Sequence, residues 1–69
     1  MSNNDHRTRS AILTYIMADP EPRPLRMICL YMHTMHRVDN GATREMIHRL
    51  FKRGVLIRPS RGYYGMKRR

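Results

Sequence analysis

The hydrophobic period of the chain changes once, at Gly54, and that change constrains the fold more than any other feature. Before it, apolar residues recur at helical spacing. After it come two short runs rich in β-branched and aromatic residues, Val55-Leu-Ile-Arg58 and Tyr63-Tyr-Gly-Met66, separated by Pro59-Ser-Arg-Gly62. A period of 3.6 buries one stripe of a helix and a period of 2 buries one face of a strand, so no single element crosses this point. The two runs and their Pro- and Gly-containing turn predict a β-hairpin over residues 55–66, and Gly54 predicts a left-handed stop for the helix before it.

Upstream, the pattern predicts three helices. The first spans residues 6–18, with Ile12, Leu13 and Ile16 on one face, flanked by Tyr15 and Met17. It should stop at Asp19-Pro20, because proline disfavours helical geometry in the residue before it and cannot continue the hydrogen-bond ladder. Asp19 to Pro24, with three prolines, reads as an extended connector. The second helix spans 24–35, with Pro24 in its first position and Leu25, Ile28, Cys29 and Met32 at i, i+3, i+4 and i+7. Met27, Leu30 and Tyr31 fall on its other faces, which leaves an apolar patch and predicts a homodimer interface there or on the first helix. Residues 36–41, ending in Asn-Gly, read as a turn. The third helix spans 41–53, with Asn40 as its cap and Met46, Ile47, Leu50 and Phe51 on its buried face. Lys67, Arg68 and Arg69 form a basic tail.

With 69 residues the chain supports one small domain and no large catalytic cleft, since a chain of this size buries only about 60% of its unfolded surface. Its single cysteine forms no internal disulfide, which fits a reducing compartment. No apolar run approaches the roughly 20 residues that span a bilayer. The expected location is cytoplasmic and nucleoid-associated, because the net charge of +9 looks for a polyanion. That charge is unevenly placed. Residues 44–69 carry nine Lys and Arg against Glu45 alone, a net +8, whereas residues 1–43 carry five against four, a net +1.

The order helix, connector, helix, turn, helix, hairpin is that of a winged helix-turn-helix domain. The segment Ala42-Thr-Arg-Glu-Met-Ile-His-Arg-Leu-Phe-Lys-Arg-Gly-Val-Leu-Ile-Arg-Pro-Ser-Arg-Gly-Tyr-Tyr resembles the recognition helix and wing of small prokaryotic transcriptional regulators of phage and plasmid type. Its Ala-Thr start, its Ile47 and Leu50 positions, its Gly-Val-Leu exit and its Gly-Tyr-Tyr return strand carry the likeness. The resemblance covers about Leu25 to Met66. It implies an α+β fold of three helices followed by a two-stranded wing, and a sequence-specific regulator that binds double-stranded DNA.

Helical-wheel geometry selects the candidate residues. With Met46, Ile47, Leu50 and Phe51 inward, Glu45, His48, Arg49 and Lys52 face outward, Arg44 and Arg53 edge that face, and Asn40 stands at its start. Arg44, Glu45 and His48, in the N-terminal half, are placed to read base edges, with Glu45 suited to a cytosine amine or simply to the helix dipole. Lys52, Arg53, Lys67 and Arg68 suit phosphates. Arg58 and Arg61 flank the hairpin turn, where they suit the backbone or a narrow minor groove. Tyr63 and Tyr64 point to opposite sides of their strand.

Cys29, His33 and His36 share one side of the second helix, but a structural zinc site normally uses more cysteines. No metal, cofactor, small-molecule substrate or catalytic activity is expected. Two other readings stay open: a small basic module or inhibitor that docks on an acidic host protein, and an RNA-binding protein.

Overall fold

The computed structural model describes residues 3–67. The elements run α1 (Asn3–Met17), β1 (Arg23–Pro24), α2 (Leu25–His36), α3 (Asn40–Lys52), β2 (Leu56–Ser60) and β3 (Tyr63–Met66). The fold is α+β, three helices with a small antiparallel sheet in the order β1-β3-β2. The core draws on every helix and on the hairpin. Ile12 and Ile16 come from α1, Ile28 and Met32 from α2, Met46, Ile47 and Leu50 from α3, and Leu56 from β2. Phe51, expected inside, is only half-buried, and Thr43 takes a place in the interior instead, its hydroxyl without a hydrogen-bond partner among the described residues.

The helix starts and stops differ from the sequence expectations in instructive ways. α1 begins three residues earlier and ends close to Asp19-Pro20, where Asp19 Oδ1 accepts the Glu21 N–H at 3.0 Å. Asn40-Gly41 is not the stop for α2: both residues lie in the first turn of α3, and the cap position belongs to Asp39 rather than Asn40. α2 is stopped by Arg37, in left-handed geometry at φ 55°, ψ 38°, with the Arg37 N–H donating to the His33 carbonyl. The connection between α2 and α3 is therefore only Arg37 to Asp39. At the other end of α3 the expectation at Gly54 is met. Gly54 has φ 81°, its N–H donates to the Phe51 carbonyl at 3.0 Å, and the Val55 N–H donates to the Leu50 carbonyl at 2.9 Å. This is the Schellman arrangement, which satisfies two of the carbonyls a helix end leaves open.

The sheet has three strands where the sequence suggests two. The connector supplies β1, paired with β3 through Arg23 and Tyr64 and through Pro24 and Tyr63. Pro24 is consequently extended, at φ −64°, ψ 140°, and sits outside α2 instead of in its first turn. The Leu25 N–H donates to the Gly62 carbonyl at 2.7 Å, which ties the start of α2 to the hairpin turn. β2 carries one extra residue between Ile57 and Ser60 relative to β3, a bulge at Arg58-Pro59 on the edge of the sheet, where a proline costs no ladder hydrogen bond. Tyr64 packs toward the helices and Tyr63 stays 43% exposed. Among the described residues no helix is long and apolar enough to cross a membrane.

Left-handed geometry costs a non-glycine residue about 1–2 kcal/mol, so Arg37 is a site of stored backbone strain. Arg37→Gly is expected to raise stability by about 0.5–1 kcal/mol, roughly 3–6 °C in melting temperature, after the extra freedom of the unfolded glycine is subtracted. Arg37→Ala, which removes the same charge and keeps the strain, should give no such gain when both are melted by circular dichroism.

Candidate nucleic-acid interface

The apolar stripe of α3 decides which of its side chains meet solvent. With Thr43, Met46, Ile47 and Leu50 buried, Asn40, Arg44, Glu45, His48, Arg49, Lys52 and Arg53 are all exposed. The spacing divides this face into two flanks and a crest. Arg49 and Arg53 line a groove against α1 together with His6 and Arg9. Arg44 lies on the opposite flank, beside Arg26 of α2 and Gly62 and Tyr63 of the hairpin. Glu45, His48 and Lys52 form the crest between them.

Charge on this face is only partly neutralised. Arg49 lies 3.6 Å from Asp5, which joins α1 to α3, and 3.9 Å from Glu45 one turn back on its own helix; both contacts are exposed and so worth at most about 1 kcal/mol each. Among the described residues Arg44, Lys52, Arg53 and Arg61 form no ion pair, and neither do Arg9 and Arg26. Arg23 behaves differently. Its Nε donates to the Tyr15 carbonyl at 3.1 Å, its guanidinium lies 4.0 Å from the Tyr15 ring centre, and it pairs with Asp19 at 3.6 Å. That cation closes the end of α1 and is not offered to a ligand.

The hairpin is held against the flank of α3 by an aromatic contact. Phe51 meets Tyr64 edge-on at 6.2 Å, and the Arg58 guanidinium lies 5.3 Å from the centre of the Phe51 ring. Arg58 thereby joins the α3 face. Arg61 precedes Gly62, whose φ of 81° closes the turn. Lys67 is not brought to this face: it lines a groove on the outer side of the sheet with Met17, Asp19 and Glu21. Arg68 lies outside the described residues.

Of the residues expected at a dimer interface, Met27 and Leu30 are 41% and 56% exposed, while Tyr31 is half-buried. Tyr31 stacks on Tyr15 at 4.1 Å and its hydroxyl lies 3.3 Å from His36 Nε2, so it belongs to the α1–α2 seam instead of an open patch. Cys29 is buried and His33 exposed, and among the described residues no three His, Cys, Asp or Glu side chains gather as metal ligands. Sequence reasoning missed Arg9 and Arg26 as members of the basic surface. Both sit outside the basic C-terminal half, and only the packing of α1 and of the start of α2 against α3 brings them there. No protein-family model, curated protein or solved structure matches the chain.

Phe51 is the hinge between hairpin and helix. Phe51→Leu keeps an apolar side chain but loses the edge contact and the guanidinium contact, a cost of about 1–2 kcal/mol. Urea unfolding should show that loss, and amide exchange should speed up most in residues 56–66; a uniform change across the chain would contradict the role given to this ring.

Proposed function

We propose that the chain is a sequence-specific, double-stranded DNA-binding transcriptional regulator of the winged helix-turn-helix type, with α3 in the major groove and the β2–β3 hairpin as the wing. The observation that carries this reading is the exposed face of α3, which presents unpaired Arg44, Lys52 and Arg53 and is extended on its two flanks by Arg26 and Arg9. Thirteen residues at 1.5 Å each give α3 a length of about 20 Å, and a helix fits a groove about 12 Å wide. The three-residue connection Arg37 to Asp39 supports the reading further, being the turn length typical of two helices that act as one DNA-reading unit.

In this arrangement Asn40, Arg44, Glu45 and His48, toward the N-terminus of α3, approach base edges. Arg44 has the fork geometry for a guanine, and Glu45 accepts from a cytosine amine, a useful placement for the one carboxylate on a basic face. Arg49, Lys52 and Arg53 meet phosphates, and Arg58 and Arg61 rest on the backbone beside the groove or enter a narrow minor groove. Asp5 holds Arg49 until a phosphate replaces it.

Selection from a random duplex pool, followed by titration of the selected duplex at several salt concentrations, tests the proposal. Contact with about six phosphates gives a log–log salt slope near −5, and a flat response would remove the reading. Arg44→Ala should relax sequence preference by about 1–3 kcal/mol at one base pair, whereas Arg58→Ala should weaken all duplexes alike. Lys67→Ala, beside Asp19 and Glu21, should change affinity by less than about twofold.

A further inference from the structure

Duplex binding makes no use of the exposed apolar surface of α2. Met27 and Leu30, about one turn apart on α2, are large apolar side chains held in solvent, and they line a groove whose far wall is the start of α3. Its charged residues are both basic, Arg26 at one end and Arg44 on the α3 wall, and the His33 imidazole lies at the other end. Neither arginine is paired among the described residues. Phosphates satisfy the arginines but offer nothing to Met27 and Leu30. An apolar floor with a cationic rim is complementary to an amphipathic helix with carboxylates along the edges of its apolar stripe.

We propose that this groove docks an acidic amphipathic helix of a partner protein, whose apolar side chains cover Met27 and Leu30 while its carboxylates reach Arg26 and Arg44. A second copy of the chain fits poorly. A two-fold interface is self-complementary, so pairing through this groove would crowd the arginines of the two basic rims together with no carboxylate between them. Tyr31, which would have widened the apolar patch, is turned into the stack with Tyr15. Arg44 is also a base-reading residue in the proposed function, so, resting on that reading, the partner helix and the duplex exclude each other. A protein carrying such a helix would release the regulator from DNA.

The test uses the full chain and two synthetic peptides of about four helical turns. One has leucines on a single face and glutamates elsewhere, and the other has the same composition with the leucines scattered. By fluorescence anisotropy the first should bind at least about tenfold more tightly than the second, and Leu30→Ser and Met27→Ser should each remove about tenfold of that affinity. Both side chains are exposed, so the thermal melts of the two variants should match the parent, and their duplex affinity should stay within about twofold. Adding the one-faced peptide should displace labelled duplex.

Equal binding of the two peptides, or an unchanged affinity in Leu30→Ser, would overturn the proposal. So would sedimentation showing a dimer that Leu30→Ser dissolves, because a second copy would then occupy the groove. Simultaneous binding of peptide and duplex would overturn the exclusion. The peptide titration needs no DNA, so a failure of duplex binding would be seen separately and would remove only the displacement arm.

Discussion

The burial of Met46, Ile47 and Leu50 against Ile12 and Ile16 of α1, Ile28 and Met32 of α2 and Leu56 of β2 fixes the rotation of α3 about its own axis, and the rest of the molecule depends on that rotation. Burying a large aliphatic side chain is worth about 1.5–3 kcal/mol, far more than any exposed ion pair on this surface. A net charge of +9 works against compaction in so short a chain. Apolar contacts drawn from three helices and a strand hold it together, and they leave the uncompensated cations of α3 no choice of side. Arg44, Lys52 and Arg53 are exposed because Met46, Ile47 and Leu50 cannot be.

A second tier of contacts places the hairpin. Two short strands alone are marginal in water, and here they gain a third strand from the connector, a 2.7 Å hydrogen bond from Leu25 to Gly62, and the Phe51–Tyr64 contact. The turn is thereby set beside Arg44 and Arg26 rather than left to swing. From the sheet's edge strand inward, Arg23, Tyr15, Tyr31 and His36 run in sequence across β1, α1 and α2, with ring centres 4.1 Å apart at the tyrosine pair and 5.4 Å apart between Tyr31 and His36. One arginine and two tyrosines that look free in the sequence are joined there to one another.

The features legible in the sequence are those governed by local periodicity and local stereochemistry. The three helices, the change of period at Gly54 and the outward face of α3 follow from residue spacing. Gly54 itself follows from its freedom to adopt φ of 81°. The strand β1 left no periodic trace, because two residues, one of them a proline, become a strand only through a register supplied by Tyr63 and Tyr64. Asn40-Gly41 looks like a stop, yet the chain turns earlier at Arg37, where the helix-end hydrogen bonds to the His33 and Met32 carbonyls close around a left-handed residue whose propensity gives no hint of it. Tyr31 appeared exposed because a wheel for α2 does not contain Tyr15. The same limit hid Arg9 and Arg26, whose place on the basic surface is decided by neighbouring helices.

The exposed cations of α3 form a basic edge with two unequal flanks, an apolar groove beside one and the hairpin turn close to Arg44. The outer side of the sheet, where Met17, Asp19, Glu21 and Lys67 meet, carries both signs of charge and lies apart from it. Amide chemical-shift mapping of the labelled chain during titration with a selected duplex tests this division most directly. The largest shifts are expected at residues 40–53, at Arg26 and across the turn at 58–63, with Met17, Glu21 and Lys67 nearly still. Shifts centred on Met17 and Glu21, or spread evenly over all faces, would contradict it.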